Sequence, residues 1–303
     1  MLSNADMHNY YVNYEALVGH GGTTFGLGYS RMDYKVGGAL RALQAQGTAD
    51  TLSAFGSRPI YHLTKSSLTF TYGYDYRKLD DDITAYSDMD NRKHSHSVHA
   101  GITGFERGDG LAVNYEVKAT TGSVSMDSQR SRSMDTMNGE HTSGRYTKGE
   151  ASFTAVQQLG HRSDVMVKAS GQIASHNLDG SEEMYLGGAS GVRAYPQGEG
   201  SGDEGVLGTI ETRFYTNVTG LIASTYLDIG HVRYRNDGGL DSASKGQPSS
   251  GETLKGWGIG LAYTKGDDWF ARLDYARQIG DDPNLSQFAK ARGRTWFMLG
   301  KIW

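Results

Sequence analysis

The chain has 303 residues and no cysteine, which removes disulfide frameworks, thiol catalysis and Cys-based zinc sites. Its 34 acidic and 30 basic side chains leave a net charge of −4, so no basic face recommends nucleic acid as a partner. No run of about 18 apolar residues exists, which excludes a helical membrane span but not a membrane β-barrel, where only alternate residues of each strand meet lipid.

The first residues, MLSNADMHNYYVNYE, lack a basic n-region and an apolar core, so they are no signal peptide. The expectation is a soluble protein or a fragment whose leader lies upstream. From Asn9 the apolar residues Tyr10, Val12, Tyr14 and Ala16 alternate with Asn13 and Glu15, a period of two that marks a strand. Gly21-Gly22 turns the chain into a second strand through Phe25, Leu27 and Tyr29, and a loop is expected over Tyr34–Ala49. Asp50 to Tyr61 reads as a weaker strand with Pro59 near its end, where a missing donor is tolerated. After a Leu63–Ser66 turn, Leu68, Phe70, Tyr72, Tyr74 and Tyr76 share one face opposite Thr69, Thr71, Gly73, Asp75 and Arg77. Lipid and its interface accept such a tyrosine ladder better than a packed sandwich does.

A polar loop, Asp80–Lys93, is expected before a strand through Val98, Ala100 and Ile102. Gly108-Asp109-Gly110 turns into Leu111, Val113, Tyr115 and Val117, and Ser125–Ser143 reads as a long loop. Strands over about Arg145–Leu159 and Asp164–Ser175 flank a Gly160–Ser163 turn. Then comes Met184–Glu211, a Gly-rich stretch around one apolar island, Val192-Arg193-Ala194-Tyr195-Pro196. So much glycine cannot hold a loop in shape, so the walls around it are expected to fix Arg193.

Beyond it, Val206, Ile210 and Phe214 alternate with Thr209, Glu211 and Arg213. Leu221, Ala223, Leu227 and Ile229 alternate with Ser224, Tyr226, Asp228 and Gly230. After a loop at Asn236–Gly251, Trp257, Ile259, Leu261 and Tyr263 stand opposite three glycines. Trp269, Ala271, Leu273 and Tyr275 oppose Arg272, Asp274 and Gln278, and the last strand runs from Arg294 to Trp303. The count is 13 strands and no convincing helix, joined alternately by short and long connections. That rhythm predicts an all-β fold: a transmembrane antiparallel up-and-down β-barrel with tight periplasmic turns and long outside loops. Single-chain bacterial barrels generally have an even number, so 13 implies missing strands or a miscount, and the absent leader favours strands ahead of Met1.

Two stretches carry a family resemblance. Leu186-Gly187-Gly188-Ala189-Ser190-Gly191-Val192-Arg193-Ala194-Tyr195-Pro196, followed by Gly202-Asp203-Glu204-Gly205, resembles the signature loop of two-partner secretion transporters, the haemolysin secretion/activation family. Tyr226-Leu227-Asp228-Ile229-Gly230 resembles that family's aromatic-x-Asp-x-Gly strand motif. The family belongs to the outer-membrane assembly-factor superfamily. The resemblance implies a barrel of about 16 strands, an even number, preceded by a plug helix and POTRA domains that bind an unfolded partner. On it, residues 1–303 are the barrel domain from the fourth strand onward, and residues 176–204 form the sixth outside loop, folded into the lumen. Two positions depart from the pattern: Ala194 stands where the family has Gly, and Lys301 where the C-terminal assembly signal prefers an apolar residue. Phe297, Leu299 and Trp303 fit that signal, which the barrel-assembly machinery would read.

For Arg193 the chemistry is electrostatic: a guanidinium fork on an inward loop matches a carboxylate on the wall through two parallel hydrogen bonds. Asp228 shares the polar face of its strand with Ser224, and Glu211 and Arg213 share that of its neighbour, where they can extend the network. Val192, Arg193, Ala194 and Tyr195 with Asp228 and Gly230 are therefore expected to form a latch. The bland alternative is an arginine that merely solvates a flexible loop.

Other motifs are weaker. Val192 spoils a nucleophile elbow at Gly188-Ala189-Ser190-Gly191, and no Lys-Ser/Thr pair follows Gly198-Glu199-Gly200-Ser201-Gly202 as a phosphate loop requires. His94, His96 and His99 read as a solvated strand end and Asp80-Asp81-Asp82 as a charged rim; no metal or cofactor is expected. The aromatic ladders read as membrane girdles. The function expected is a non-enzymatic pore that exports a large unfolded exoprotein of adhesin or haemolysin type across the lipid of the outer membrane without ATP. The rival is a passive porin, with a soluble sandwich third.

Overall fold

The computed structural model describes residues 7–35, 45–83, 89–137, 141–236, 251–266, 268–280 and 289–301. The strands are β1 (Met7–Val18), β2 (Thr23–Lys35), β3 (Ala45–His62), β4 (Ser66–Ile83), β5 (Met89–Gly108), β6 (Leu111–Met126), β7 (Gly144–Gly160) and β8 (Ser163–Ala174). Two-residue pieces β9 (Met184–Tyr185) and β10 (Ser201–Gly202) follow, then β11 (Glu204–Tyr215), β12 (Leu221–Arg233), β13 (Gly251–Lys265), β14 (Trp269–Gln278) and β15 (Gly293–Lys301). All except β9 and β10 form a single 13-stranded sheet in chain order, each paired antiparallel with the next. Among the described residues register slips at Pro59/Tyr61 on β3 and Gln158/Gly160 on β7. The first is where a residue without an N–H is cheapest to carry.

Alternation sets the two faces. On β13, Trp257, Ile259, Leu261 and Tyr263 are exposed while Gly256, Gly258 and Gly260 are buried. On β12, Leu227 and Ile229 point out and Tyr226 and Asp228 are buried. An exposed apolar face this continuous is a liability in water and a requirement in lipid. The polar face lines a lumen.

Strands run further than the sequence suggests. β3 begins at Ala45, β4 continues to Ile83 and β5 starts at Met89, so much of the expected loops Tyr34–Ala49 and Asp80–Lys93 is sheet; residues 36–44 and 84–88 lie outside the described residues. Above the apolar band, water can reach both faces, and cross-strand polar pairs replace hydrophobic alternation. Tyr29 donates to Asp50 at 2.6 Å, and Arg92 pairs with Asp80 across β5 and β4 at 3.1 Å.

The expected Ser125–Ser143 loop contains a helix, α1 (Gln129–Met137). Ser128 caps it by accepting the Ser131 N–H at 2.9 Å, and Asp135 holds the exit by accepting from Thr142 N at 2.9 Å. Its sequence, QRSRSMDTM, has no apolar stripe, so periodicity could not announce it.

Candidate functional site

Between β8 and β11 the chain enters the lumen, and the Gly-rich loop proves more ordered than its composition suggests. β9 pairs with β10, and the ladder continues with Leu186 N to Gly200 O and Gly187 N to Glu199 O, both 2.8 Å. Val192 N then reaches Leu186 O at 2.7 Å, and Tyr195 N reaches Val192 O at 3.1 Å, which folds the tip back on its stem. The expectation that walls alone fix Arg193 is thus corrected: backbone hydrogen bonds shape a hairpin, and glycine supplies the conformations it needs, as at Gly188 with φ 125°.

The tip presents Arg193 to four carboxylate and aromatic positions on the wall. Its Nε and Nη2 grip Asp228 side-on, Nε to Oδ2 at 2.9 Å and Nη2 to Oδ1 at 2.8 Å, and its backbone N–H also donates to Asp228 Oδ2 at 3.1 Å. Nη1 reaches Glu211 Oε2 at 2.8 Å and lies 3.7 Å from Asp274 Oδ1. The guanidinium carbon sits 3.2 Å from the centre of the Tyr226 ring, a cation–π stack. Trp296 Nε1 on β15 donates to the Arg193 carbonyl at 2.7 Å. Side-chain exposures of 8% for Arg193, 2% for Glu211 and 0% for Asp228 put the group out of bulk water.

The strand motif follows from its period of two. Tyr226, Asp228 and Gly230 all face inward: one lies under the guanidinium, one grips it, and the third leaves room for Leu186, which a Cβ at Gly230 would meet at 2.7 Å. Gly256 similarly leaves room for Ala194, so alanine at this tip position fits against β13 without moving the wall. Leu186, Val192, Ala194 and Tyr195 form a buried cluster with Tyr226, Val232, Leu254 and Ala276. Charge and apolar burial therefore hold the same few residues. Burial alone would lower the Arg193 pKa; the bonds to Asp228 and Glu211 outweigh it and hold the group above its ordinary value.

Glu211 joins Arg193, but Arg213 does not. Its Nε donates to Asp164 on β8 at 2.6 Å, toward the short-turn end, and Tyr215 donates to the same carboxylate. The second cation of the network is Arg272, which bonds Glu211 at 3.2 Å and Asp274 at 2.7 Å. Thr209 completes Asp228 at 2.9 Å. Two guanidinium groups thus face three carboxylates. Arg272 and Asp274 were legible as inward residues of their strand; Trp296 carried no signal in the sequence.

Nor did the sequence single out a second dock, on β4, β5, β7 and β8. After β8 the loop runs through an acidic turn, where Asp179 accepts from Lys93 at 2.6 Å and Glu182 from Arg77 and Lys148, both at 3.0 Å. The Glu182 carbonyl accepts from Lys148 at 3.1 Å and Gln172 at 3.0 Å. At the base, buried Asp203 accepts from Leu178 N at 2.9 Å and Asn236 N at 2.8 Å. Burial pushes the Asp179 carboxyl up, but the Lys93 ammonium and bonds from Ser181 pull it below the usual carboxylate range; burial pushes Tyr185 up to about 12. One loop thus touches β4, β5, β7 and β8 through its turn and β11 to β15 through its tip.

Of the remaining candidates, Phe297 and Leu299 point outward on β15, while Trp303 lies outside the described residues. His94 and His96 bond Asp127 at 2.5 Å and Tyr74 at 2.6 Å, whereas His99 pairs with Asp75 at 3.3 Å. Asp80 is taken by Lys78 and Arg92, and the side chains of Asp81 and Asp82 are outside the described residues. Among the described residues no group of three or more metal-ligating side chains converges.

The sequence profile described as haemolysin secretion/activation protein ShlB/FhaC/HecB matches residues 3–263. The chain belongs to that family. Heme/hemopexin transporter protein HuxB of Haemophilus influenzae is 27% identical over 298 residues, covering 94% of this chain and 50% of its own. This chain therefore spans about half the length of the curated relatives it matches. Among solved structures, CdiB from Escherichia coli superposes with TM-score 0.75 at 18% identity over 97% of this chain and 52% of that one. BamA from Haemophilus ducreyi gives 0.66 at 12% identity over 98% and 63%. These likenesses show the fold, a β-barrel, and membership places it in the Gram-negative outer membrane among two-partner secretion transporters, which are not enzymes.

Proposed function

We propose that residues 1–303 are the pore domain of a transporter that passes an unfolded exoprotein of adhesin or haemolysin type through the outer membrane. Residues 176–204 act as a latch inside that pore. Folding of the cargo outside, not ATP, drives export, and the barrel-assembly machinery inserts the domain by reading the last strand, with Phe297, Leu299 and Trp303 as the signal.

The observation that carries the latch is the Arg193 network. A loop meant only to narrow a pore needs bulk, whereas this one invests its single buried cation in a bidentate grip, a π stack and a second carboxylate. The test is secretion of the cognate exoprotein by Arg193→Ala in the complete transporter, with barrel assembly followed by heat-modifiable mobility. Secretion is expected to fall at least tenfold while assembly stays within twofold. Normal secretion would discard the latch and leave a passive pore with a constriction.

A further inference from the structure

The acidic turn occupies its wall as a ligand occupies a site. Arg77, Lys93 and Lys148 come from three different strands, β4, β5 and β7, and their side chains converge on residues 179–182. Recognition is of two kinds. Lys93 and Arg77 bind side-chain carboxylates, which selects acid; Arg77, Lys148 and Gln172 also bind the Ser181 and Glu182 carbonyls, which any peptide can offer. The segment itself is a compact turn, with Glu182 N on Asp179 O at 2.7 Å and Ser181 N on Asp179 Oδ1 at 3.1 Å.

No strand pairing binds residues 177–183 to the wall, because β9 begins only at Met184. All the wall's contacts with this turn named above are made by side chains, so another peptide of the same charge can replace it. The three cations meet only two carboxylates of the turn in ion pairs, and Glu150 on β7, 3.7 Å from Lys148, is already 3.0 Å from Lys118. If the turn lifts away, two nearly buried lysines, with side-chain exposures of 11% and 9%, face the lumen without carboxylate partners from the loop.

We propose that Arg77, Lys93, Lys148 and Gln172 form a binding site for an acidic polypeptide turn of the pattern acid-x-x-acid, and that the loop's own Asp179–Glu182 segment fills it as an internal substitute. This rests on the reading of the lumen as a polypeptide conduit and names the chemistry that conduit favours. An entering acidic segment displaces the turn, and the exchange begins to clear the pore while the Arg193 dock still holds.

The test uses the whole chain in detergent micelles and a fluorescent peptide copying residues 177–183, compared with the same peptide carrying amides at its three acids. Fluorescence anisotropy at low salt is expected to show the Asp179→Asn/Glu182→Gln variant binding the acidic peptide at least tenfold tighter than the unmodified chain does, and the amide peptide weakly in both. Adding Lys93→Gln and Lys148→Gln should abolish binding, adding Lys93→Arg and Lys148→Arg should keep it, and salt should weaken it. Equal binding of the acidic and amide peptides, no gain in the vacated variant, or binding that survives loss of both lysines would overturn the site and leave the turn as an anchor only. No cargo protein enters this assay, so its failure leaves the transport reading standing, and a failure of secretion with intact peptide binding strikes the transport reading alone.

Discussion

The tip and the acidic turn of one loop meet different strands of the wall with opposite signs. At the tip the loop brings the cation and the wall brings Glu211, Asp228 and Asp274; at the turn the loop brings Asp179 and Glu182 and the wall brings Arg77, Lys93 and Lys148. The two differ in what surrounds the charge. The tip charge is embedded in an apolar cluster of nine buried residues, the turn beside one of four. A buried ion pair contributes little by itself once desolvation is counted, but breaking one is expensive. The tip should therefore be a fixed point and the turn an exchangeable one, and substitutions can separate them.

Arg193→Ala should have the largest effect. It strips Asp228 and Glu211 of their main partner and leaves Arg272 as the only cation of the network, at a cost of about 3–5 kcal/mol to the docked tip. Limited proteolysis within residues 184–202 reads this directly, and cleavage should rise while the outer strands stay protected. Lys93→Gln should cost the turn about 1.5–3 kcal/mol, the worth of a charged hydrogen bond, without exposing the tip. A spin label at Ser181 would gain mobility; one at Ser190 would not.

Acid gives the same separation without a mutation. The Asp179 carboxyl has a folded pKa below its unfolded value of about 3.9, so its contribution is complete above that value and is lost as pH falls through the folded one. The Ser181 label should be unchanged from about pH 8 to 5 and loosen only below about pH 4. Release near neutrality would contradict the assignment.

Gly230→Ala tests whether packing shares the load at the tip. Its Cβ would press on Leu186 and should cost about 1–3 kcal/mol, seen as a lower unfolding temperature and a partly exposed stem. Trp296→Phe removes one neutral hydrogen bond to the Arg193 carbonyl and should cost only about 0.5–1.5 kcal/mol. A Trp296 effect as large as that of Arg193 would mean that β15, not the carboxylate cluster, holds the tip.

How legible each dock was follows from the same physics. Alternation placed Glu211 and Asp228 on the inward face because a strand's period of two is written directly in the residue order. It could not rank the inward charges across strands. Arg213 shares the inward face of Glu211 and was expected to extend the same network, but Asp164 on β8 takes it, and Arg272, 61 residues from Glu211 in sequence, fills that place. The basic wall escaped notice because Arg77, Lys93 and Lys148 are scattered through the sequence and meet only when the sheet curls. Helix α1 escaped because it has no apolar stripe, and the strand ends leading up to Ile83 and on from Met89 because water, not lipid, surrounds them.

The central claim is that Arg193 keeps the tip buried in the lumen. The chain has no cysteine, so Val192→Cys, at a fully buried position of nearly conserved volume, gives one clean probe. Labelling by a membrane-impermeant thiol reagent should be negligible with Arg193 present and should become rapid when Arg193→Ala is added. Equal labelling rates in the two backgrounds would contradict the account.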